Sequence, residues 1–440
     1  MQRGTRRLAM ALAIATIAFA SYASAGNTSV GIPARATPPL GGVNMMGLSF
    51  GAPQMVVNQE IAQARSVNAH VIRVEIPWSR LEPRRQGEID PAALAYTDYL
   101  VDRAAAVGVK VLMLASSTPC WASSAPSSLL AVCEPGAATN KASAWPPTEP
   151  NAFGSFVASL ASRYGSKLAA IEVWNEPDQA NEDYLAGPNK AQHYAAILRA
   201  GYTAIKRVDP AMTVLGGSFV GTNGAFLRAL YAAGIKGYYD GLSVHFYTLV
   251  LAALRYTHEV QLQNGDHTPL WLNEFGWSSC WPRQSIQQDQ PCVTPQTQAT
   301  NLYNTYRALA HTPWVAGEIM YGLQGSRSED FGVFSEDGTR KPAFAALRSV
   351  LVSPFGPPSQ VTVRLSHRDG RIVASGSGPV GDYMRLEAFN GTRLRYRSLF
   401  TLNRFNRYSL VLPKALGARN LRVSVFQYWT GASRAVSASI

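Results

Sequence analysis

Apolar and polar residues follow two alternating patterns between residues 41 and 353. Short apolar runs with β-forming residues are separated by Ala-rich stretches whose apolar positions repeat at helical spacing. The apolar runs predict strands over Val43–Leu48, His70–Glu75, Lys110–Ala115, Ala170–Trp174, Thr213–Gly217, Gly241–Phe246, Leu270–Asn273 and Gly317–Tyr321. The stretches between them predict helices, among them Pro91–Val107, Ala152–Arg163, Lys190–Val208, Gly224–Ala233 and Thr297–His311.

This alternation of strands and helices favours a parallel sheet that is covered by helices. Eight repeats within residues 41–353 match an α/β fold, the (β/α)8 or TIM barrel, with insertions in its loops. An open, doubly wound sheet is the alternative. No Gly-rich dinucleotide fingerprint follows a strand, which counts against that alternative.

The pattern changes after the Pro-rich segment 354–358. Turn signals at Asp369-Gly370 and Asn390-Gly391 separate short alternating runs. The runs predict strands over Val361–Leu365, Arg371–Ser375, Tyr383–Asn390, Leu394–Leu402, Tyr408–Leu412 and Leu421–Tyr428. We therefore predict a small all-β accessory domain, similar to a β-sandwich, over residues 359–440.

The first 25 residues have the pattern of a secretory signal peptide. Arg3, Arg6 and Arg7 precede an apolar run that is too short to span a bilayer, and Ala23-Ser24-Ala25 is a typical cleavage site. A retained membrane anchor is the alternative. Residues 26–40 are small, polar and Pro-rich, and predict a flexible lead-in.

Four cysteines favour an oxidising compartment, so we expect a secreted or periplasmic protein. Cys120 lies close to Cys133 in sequence, and Cys280 lies close to Cys292. These spacings predict two local disulfides. Metal binding is the remote alternative, because the repeated close pairs of a zinc site are missing.

The net charge of +12 is unevenly distributed. Residues 361–440 contain 13 Lys and Arg against 3 Asp and Glu, whereas residues 26–360 contain 24 against 25. The basic character therefore belongs to the predicted accessory domain, where Arg393, Arg395 and Arg397 alternate along one strand. Such a surface favours an anionic partner, either an acidic polysaccharide or the cell envelope. Ordinary solvated arginine is the alternative, and without a recognised module we expect no nucleic-acid partner.

Two predicted strands end in an Asn-Glu pair: Trp174-Asn175-Glu176-Pro177 at the fourth strand and Asn273-Glu274 at the seventh. A carboxylate at the end of an apolar strand is poorly solvated and needs a reason to be there. The active site of a barrel lies at the carboxyl ends of its strands, and strands four and seven lie nearly opposite each other. Glu176 and Glu274 can therefore reach one cavity, as two-carboxylate glycoside hydrolysis requires.

At these residues the chain resembles the clan A glycoside hydrolases, which are (β/α)8 retaining enzymes. The secreted β-domain arrangement looks closest to family 39 and the PslG-like exopolysaccharide hydrolases. The resemblance implies that Glu176 is the acid/base, Glu274 the nucleophile, and Asn175 a ligand of the sugar 2-hydroxyl. It also implies that Arg73 and Tyr247 contact the nucleophile.

The resemblance places His245 at the sugar site, and puts Tyr321 near a position where many clan members have tryptophan. Four further aromatic residues are candidates for stacking on sugar rings: Trp78, Trp121, Trp174 and Trp277. Arg73 could instead be a structural ion-pair partner, His245 a core histidine, and at least one tryptophan plain core packing. Glu172 is interpreted as an acid inside the barrel.

We therefore predict a secreted retaining β-glycosidase that acts on a polysaccharide or oligosaccharide by double displacement. We expect a monomer, no cofactor and no metal. The alternative function is a non-catalytic glycan-binding or envelope-attached protein that uses the basic β domain. The sequence leaves the sugar, the linkage and endo or exo action open.

Overall fold

The computed structural model describes residues 37–45, 48–283, 292–326, 330–356, 359–380, 382–417, 420–427 and 435–437. The predicted signal peptide and residues 26–36 of the predicted lead-in lie outside the described residues. Among the described residues, no helix has both the length and the apolar character needed to span a bilayer.

Eight parallel strands form a closed barrel in sequential order, so the predicted fold class is confirmed. The strands are β1 (Leu40–Asn44), β2 (Val71–Pro77), β3 (Lys110–Ser116), β4 (Leu168–Val173), β5 (Val214–Phe219), β6 (Gly241–His245), β7 (Leu270–Glu274) and β8 (Val315–Tyr321). The helices are α1 (Gln54–Ser66), α2 (Trp78–Leu81), α3 (Pro91–Ala106), α4 (Ser127–Leu130), α5 (Pro150–Tyr164), α6 (Lys190–Val208), α7 (Ala225–Ala232), α8 (Val250–Gln263), α9 (Pro295–Ala310) and α10 (Pro342–Val352).

The barrel interior is layered from apolar to polar. Its amino end is filled by Val71, Leu112, Ala170, Leu215, Trp271 and Ile319. Because alternate residues of a strand share a face, the next interior positions on β2 and β4 are Arg73 and Glu172, both fully buried. A larger apolar core lies between the strands and the surrounding helices. The polar layers thus begin where the strands approach their carboxyl ends.

The C-terminal β region (residues 359–427 and 435–437) contains two antiparallel sheets. Their strand orders are β13-β10-β9 and β12-β11-β14-β15. The strands are β9 (Arg364–Arg368), β10 (Arg371–Ser377), β11 (Tyr383–Asn390), β12 (Arg393–Thr401), β13 (Arg407–Val411), β14 (Leu421–Gln427) and β15 (Ala435–Ser437). Both sheets contribute to one apolar core, which includes Ala374, Met384 and Val423. The all-β character predicted for this region is therefore confirmed.

The C-terminal β region packs directly on the barrel. Asn301 and Asn304 of α9 are buried, and the Asn304 amide donates to the Pro379 carbonyl at 2.5 Å. The Asn406 amide donates to Asn301 Oδ1 at 2.7 Å. Val380 belongs to the apolar core around the barrel. The two parts of the protein therefore share buried polar and apolar contacts.

Both predicted disulfides are present. Cys120–Cys133 and Cys280–Cys292 have Cα–Cα distances of 5.8 and 4.9 Å. The Asn140 amide donates to Cys133 Sγ at 2.8 Å, which ties the first disulfide to the segment leading to Trp145. Each disulfide therefore closes a loop at the carboxyl end of the barrel.

Candidate active site

Six residues named from the sequence meet at the carboxyl ends of the barrel strands. They are Arg73 on β2, Asn175 and Glu176 after β4, His245 and Tyr247 at the end of β6, and Glu274 at the end of β7.

A strained turn after β4 positions Glu176. The φ angles of Trp174 and Glu176 are 75° and 41°, in the left-handed region that L-residues rarely adopt. Trp174 is fully buried, and its indole N–H donates to the Tyr184 carbonyl at 2.8 Å. These contacts hold the turn, and strain of this kind is common at functional sites.

Glu274 is held by three donors from three strands. Oε2 accepts a hydrogen bond from the Asn44 amide at 3.1 Å and one from Arg73 Nη1 at 3.3 Å. Oε1 accepts one from the Tyr247 hydroxyl. Burial and then the Glu274 charge raise the pKa of Tyr247 well above its usual value, so this hydroxyl stays a donor. A cation and two neutral donors thus stabilise negative charge on Glu274.

Glu176 has a different set of partners. His245 Nδ1 lies 2.6 Å from Glu176 Oε1, and the Gln179 amide donates to Oε2. The same His245 nitrogen lies 3.5 Å from Glu274 Oε2. Neither partner of Glu176 is a guanidinium, so the two carboxyl groups have different sets of partners.

A buried network fixes the orientation of Arg73. Its Nε donates to Glu172 Oε2 at 2.7 Å, and its Nη2 donates to Asn175 Oδ1 at 2.9 Å. Glu172 Oε1 also accepts hydrogen bonds from Ser243 and Asn273, each at 2.6 Å. Burial alone would raise the pKa of Glu172, but the charge of Arg73 and the hydrogen bonds from Ser243 and Arg73 help to outweigh it and lower that pKa. Glu172 therefore lies inside the barrel as a charged anchor, as interpreted from the sequence.

The two carboxyl groups are close enough to act on one bond. One oxygen each of Glu176 and Glu274, together with a ring nitrogen of His245, lie within 4.8 Å of one another, and all three residues are buried. These three side chains could also ligate a metal ion. Arg73 already places a positive charge 3.3 Å from Glu274, which opposes a second cation there.

An aromatic wall stands beside Glu274. The rings of Tyr247, Tyr321 and Phe331 contact one another with centroid distances of 5.4 to 5.8 Å. Tyr321 is the last residue of β8 and is partly exposed. The sequence identified Tyr247 and Tyr321, whereas Phe331 lies in a loop that no strand pattern marks.

The sequence-based role of Trp78 is wrong. Its ring is fully buried against Phe153 and Phe156, and its indole N–H donates to Glu82 at 2.9 Å, so it cannot stack on a sugar. Trp121 is partly exposed, but it packs edge-on against Trp78 and donates to the Glu82 carbonyl at 2.7 Å.

Trp174 is fully buried as well, although it follows β4 directly. Trp277 is partly exposed and packs against Phe275. Their positions near strand ends therefore do not by themselves make these rings part of a sugar site.

Two site residues were missed in the sequence. Asn44 ends β1 and donates to Glu274, but the predicted first strand ran on to Leu48 and hid this strand end. Gln179 donates to Glu176 from three residues further along the chain. Active-site residues of a barrel lie at the carboxyl ends of its strands, so a prediction that ended the first strand at Asn44 would have identified this residue. Nothing in the sequence marks Gln179.

Comparison with known proteins agrees with this geometry. Residues 144–342 match the family model described as glycosyl hydrolase catalytic core, and this segment contains both Glu176 and Glu274. A closed parallel barrel with this catalytic core defines the class: the protein is a glycoside hydrolase. A search among curated proteins finds no match.

Several solved structures are similar to the chain. A family 39 glycoside hydrolase from Bacteroides cellulosilyticus WH2 is 19% identical with a TM-score of 0.56, over 85% of this chain and 81% of that one. A family 39 β-xylosidase from Caulobacter crescentus is 15% identical with a TM-score of 0.51, over 89% and 97%. A glucosidase from Croceicoccus marinus is 12% identical with a TM-score of 0.51, over 83% and 90%. The chain thus contains a glycosyl hydrolase catalytic core, and its fold is similar to that of family 39 glycoside hydrolases.

Proposed function

We propose that the protein is a retaining β-glycosidase in which Glu274 is the nucleophile and Glu176 the acid/base. The observation that carries this proposal is the unequal set of donors at the two carboxyl groups. Glu274 receives hydrogen bonds from a guanidinium, an amide and a phenol, which favour its ionised form. Glu176 receives none from a guanidinium and is the group better suited to carry a proton.

The reaction runs in two displacements. A Glu274 oxygen attacks the anomeric carbon while Glu176 gives its proton to the glycosidic oxygen, so the aglycone leaves as an alcohol and an ester forms on Glu274. Glu176 then takes a proton from water, whose oxygen attacks the same carbon and releases Glu274. Two inversions give net retention.

The spacing of the carboxyl groups supports this course. Retaining enzymes hold the two groups about 5–5.5 Å apart, whereas inverting enzymes leave about 6.5–9.5 Å for a water molecule. Oxygens of Glu176 and Glu274 within 4.8 Å of each other fit the shorter range.

The stereochemical test is the first-formed sugar product, followed by NMR with aryl β-glycosides as substrates. Xylosides and glucosides are the first to try, because two of the similar structures are a β-xylosidase and a glucosidase. We expect the β anomer first. An α anomer as first product would refute the retaining mechanism.

Two variants test the roles. Glu274→Ala should lower kcat by about 10³-fold or more, and added azide should restore part of the rate with the opposite anomeric product. Glu176→Ala should spare substrates with good leaving groups, since these need no proton. The exposed Glu134→Gln is the matched control. Equal loss on every substrate in Glu176→Ala would contradict the acid/base assignment.

We also propose that the chain is exported as a monomer, with its signal peptide removed. Two disulfides support an oxidising compartment. Mass spectrometry of protein from culture medium or periplasm should give a chain that begins at Gly26, and light scattering should give the monomer mass. Full-length protein in the cytoplasm would refute the proposed export.

A second proposal concerns the C-terminal β region, which is proposed to bind an anionic polysaccharide. Arg393, Arg395 and Arg397 are exposed on β12, an edge strand of its sheet, and this row supports the proposal. Binding to polygalacturonate should weaken with added salt and fall in the triple Arg→Ser variant. Equal binding by that variant would rule out this surface.

A further inference from the structure

A cavity of about 800 Å³ opens over the carboxyl ends of β1 to β4. This volume is in the range of small-molecule sites. Asn175 lines it, so the cavity reaches the candidate catalytic centre. Glu75, Ser116, Trp145 and Tyr184 line it as well.

Glu75 is the carboxyl group on the floor of this cavity. It lies two residues beyond Arg73 on β2 and therefore faces the same interior side, one layer nearer the barrel mouth. Its Oε1 accepts a hydrogen bond from the Ser116 hydroxyl. Among the described residues no donor reaches Oε2. Burial raises the pKa of Glu75 against the opposing effects of Ser116 and Arg73.

Glu75 is partly exposed, so its unused acceptor is open to a ligand that donates to it. Two cations also line the cavity, Arg80 and Lys141. Arg80 lies over the Phe50 ring at 5.3 Å, and Lys141 is exposed. Within the described part of the chain, neither cation forms an ion pair with Glu75. Glu75 is therefore available to accept from a ligand.

Tyr184 connects Glu75 with the catalytic pair. Burial raises the pKa of its phenol, and the charges of Glu176, Glu274 and Glu75 raise it further, so the hydroxyl stays protonated. Tyr184 lines the same cavity as Glu75 and Asn175. No described residue accepts from the Tyr184 hydroxyl, which leaves this donor for a ligand.

Trp145 supplies an apolar surface on the same cavity. A Cβ atom at Gly187 would lie 2.7 Å from the Trp145 ring, so only glycine allows this ring to pack where it does. The cavity thus offers an aromatic face, an acceptor and a donor, which are the groups that a sugar ring with its hydroxyls and C–H faces requires.

We propose that Glu75 and Tyr184 form a subsite for a neutral sugar unit beside the scissile bond, and that this subsite rejects a uronosyl unit. Glu75 accepts hydrogen bonds from ring hydroxyls, and Tyr184 donates to one of them. A sugar carboxylate bound against Glu75 in this cavity would face its carboxylate and be repelled. The inference rests on the proposed function, because it names the substrate class of that site.

Sugar binding tests the subsite without requiring turnover. Xylose, glucose, galactose, mannose and sodium glucuronate are titrated by NMR into the wild-type chain, Glu75→Gln, Tyr184→Phe and the exposed control Glu134→Gln. We expect at least one neutral sugar to bind the wild-type chain. Its affinity should fall about 10-fold or more in Glu75→Gln and about 3-fold or more in Tyr184→Phe, while the control matches the wild type.

Glucuronate should bind the wild-type chain at least about 10-fold more weakly than the neutral sugar that binds most tightly. This difference in affinity should be smaller in Glu75→Gln. Three results would each overturn the subsite: equal affinity of Glu75→Gln and wild type, glucuronate binding as tightly as the neutral sugars, or no neutral sugar binding. Thermal unfolding of each variant checks that the fold is intact.

Kinetics separate the subsite from the proposed function. In Glu75→Gln we expect a raised KM, with kcat and its pH profile unchanged. If sugar binding depends on Glu75 but no glycoside is hydrolysed, the proposed glycosidase activity is refuted and the proposed subsite is supported. If Glu75→Gln hydrolyses glycosides with the same kcat/KM as the wild-type chain, the proposed glycosidase activity is supported and the proposed subsite is refuted.

Discussion

Arg73 at the mouth of the barrel is fully enclosed and lies within 3.3 Å of both Glu172 and Glu274, whereas Arg395 on β12 is exposed. The first arginine is oriented by residues that are up to 201 positions away in sequence. The second lies on the exposed face of an edge strand, where arginines discourage pairing with other sheets.

This difference shows where the protein depends on single residues. At the barrel mouth Arg73 and Glu172 are fully buried and bonded to each other, so removing one leaves the other without compensation. In the C-terminal β region most arginines are exposed, and water replaces whatever contact is lost. We therefore expect large effects of substitution in the first region and small ones in the second.

Arg73→Met should give the largest loss. It leaves Glu172 fully buried without its cation, and breaking one side of a buried pair costs about 3–5 kcal/mol. Glu274 also loses its charged donor, so kcat should fall together with stability. Urea unfolding and aryl-glycoside kinetics measure the two losses.

The double variant Arg73→Met/Glu172→Gln is the control for this change, because it removes both buried charges. It should recover part of the lost stability but not the activity. An Arg73→Met protein within about 1 kcal/mol of the wild type would contradict the view that this network is indispensable.

Asp382 should give the next largest effect, because it is a buried acid of the C-terminal β region that contacts the barrel. Its Oδ2 accepts a hydrogen bond from the Ala252 amide in the first turn of α8 at 3.2 Å, from 130 residues away. α8 follows the strand that carries His245 and lacks a capping side chain of its own. Burial raises the pKa of Asp382 to about 7, against the effect of its backbone donors.

Between about pH 4 and 7 the folded protein therefore keeps a proton on Asp382 that the unfolded chain has released. Stability from this group is fully present below pH 4 and is lost as the pH rises to 7. Each pH unit between the two pKa values corresponds to about 1.36 kcal/mol, so the loss over about three units is on the order of 4 kcal/mol.

Asp382→Asn mimics the protonated acid and should flatten this pH dependence. The free energies of unfolding of wild type and variant, measured from pH 4 to 7, test it. If the free energies of unfolding of wild type and Asp382→Asn change in parallel from pH 4 to 7, Asp382 does not titrate in this pH range.

The sequence predicted the barrel because its strand and helix patterns are local. Lys190–Val208 was predicted with both of its ends correct. The first strand was placed too late because Gly41 and Gly42 disfavour a strand. In the folded barrel a Cβ at Gly42 would lie 2.1 Å from the Val71 carbonyl oxygen, so close packing of β1 on β2 requires glycine there.

The candidate site was predictable as far as its residues end strands. Glu176, Glu274 and His245 follow that rule, and they meet. The direction of a side chain is not local, which is why Trp78 was misjudged: it begins α2 and turns into the core against Phe153. Tyr184 belongs to a loop whose shape depends on packing with Trp174, and no pattern in the chain records that.

The smallest effect should come from the exposed row of β12. Arg397 contacts Glu387 on the neighbouring strand β11 at 3.1 Å, whereas Arg395 has no ion-pair partner among the described residues. The Arg397 side chain is 55% exposed, and a surface pair of this kind contributes about 0–1 kcal/mol, because solvent screens it and ordering two long side chains costs entropy.

Arg397→Ser should therefore lower the free energy of unfolding by less than about 1 kcal/mol, and Arg395→Ser should change it by less than about 0.5 kcal/mol. A double-mutant cycle of Arg397→Ser with Glu387→Gln, at low and high salt, isolates the pair. The coupling should shrink as salt is added. A loss as large as that of Arg73→Met would mean that charge in the C-terminal β region is as structural as at the barrel mouth, and the contrast between the two regions would fail.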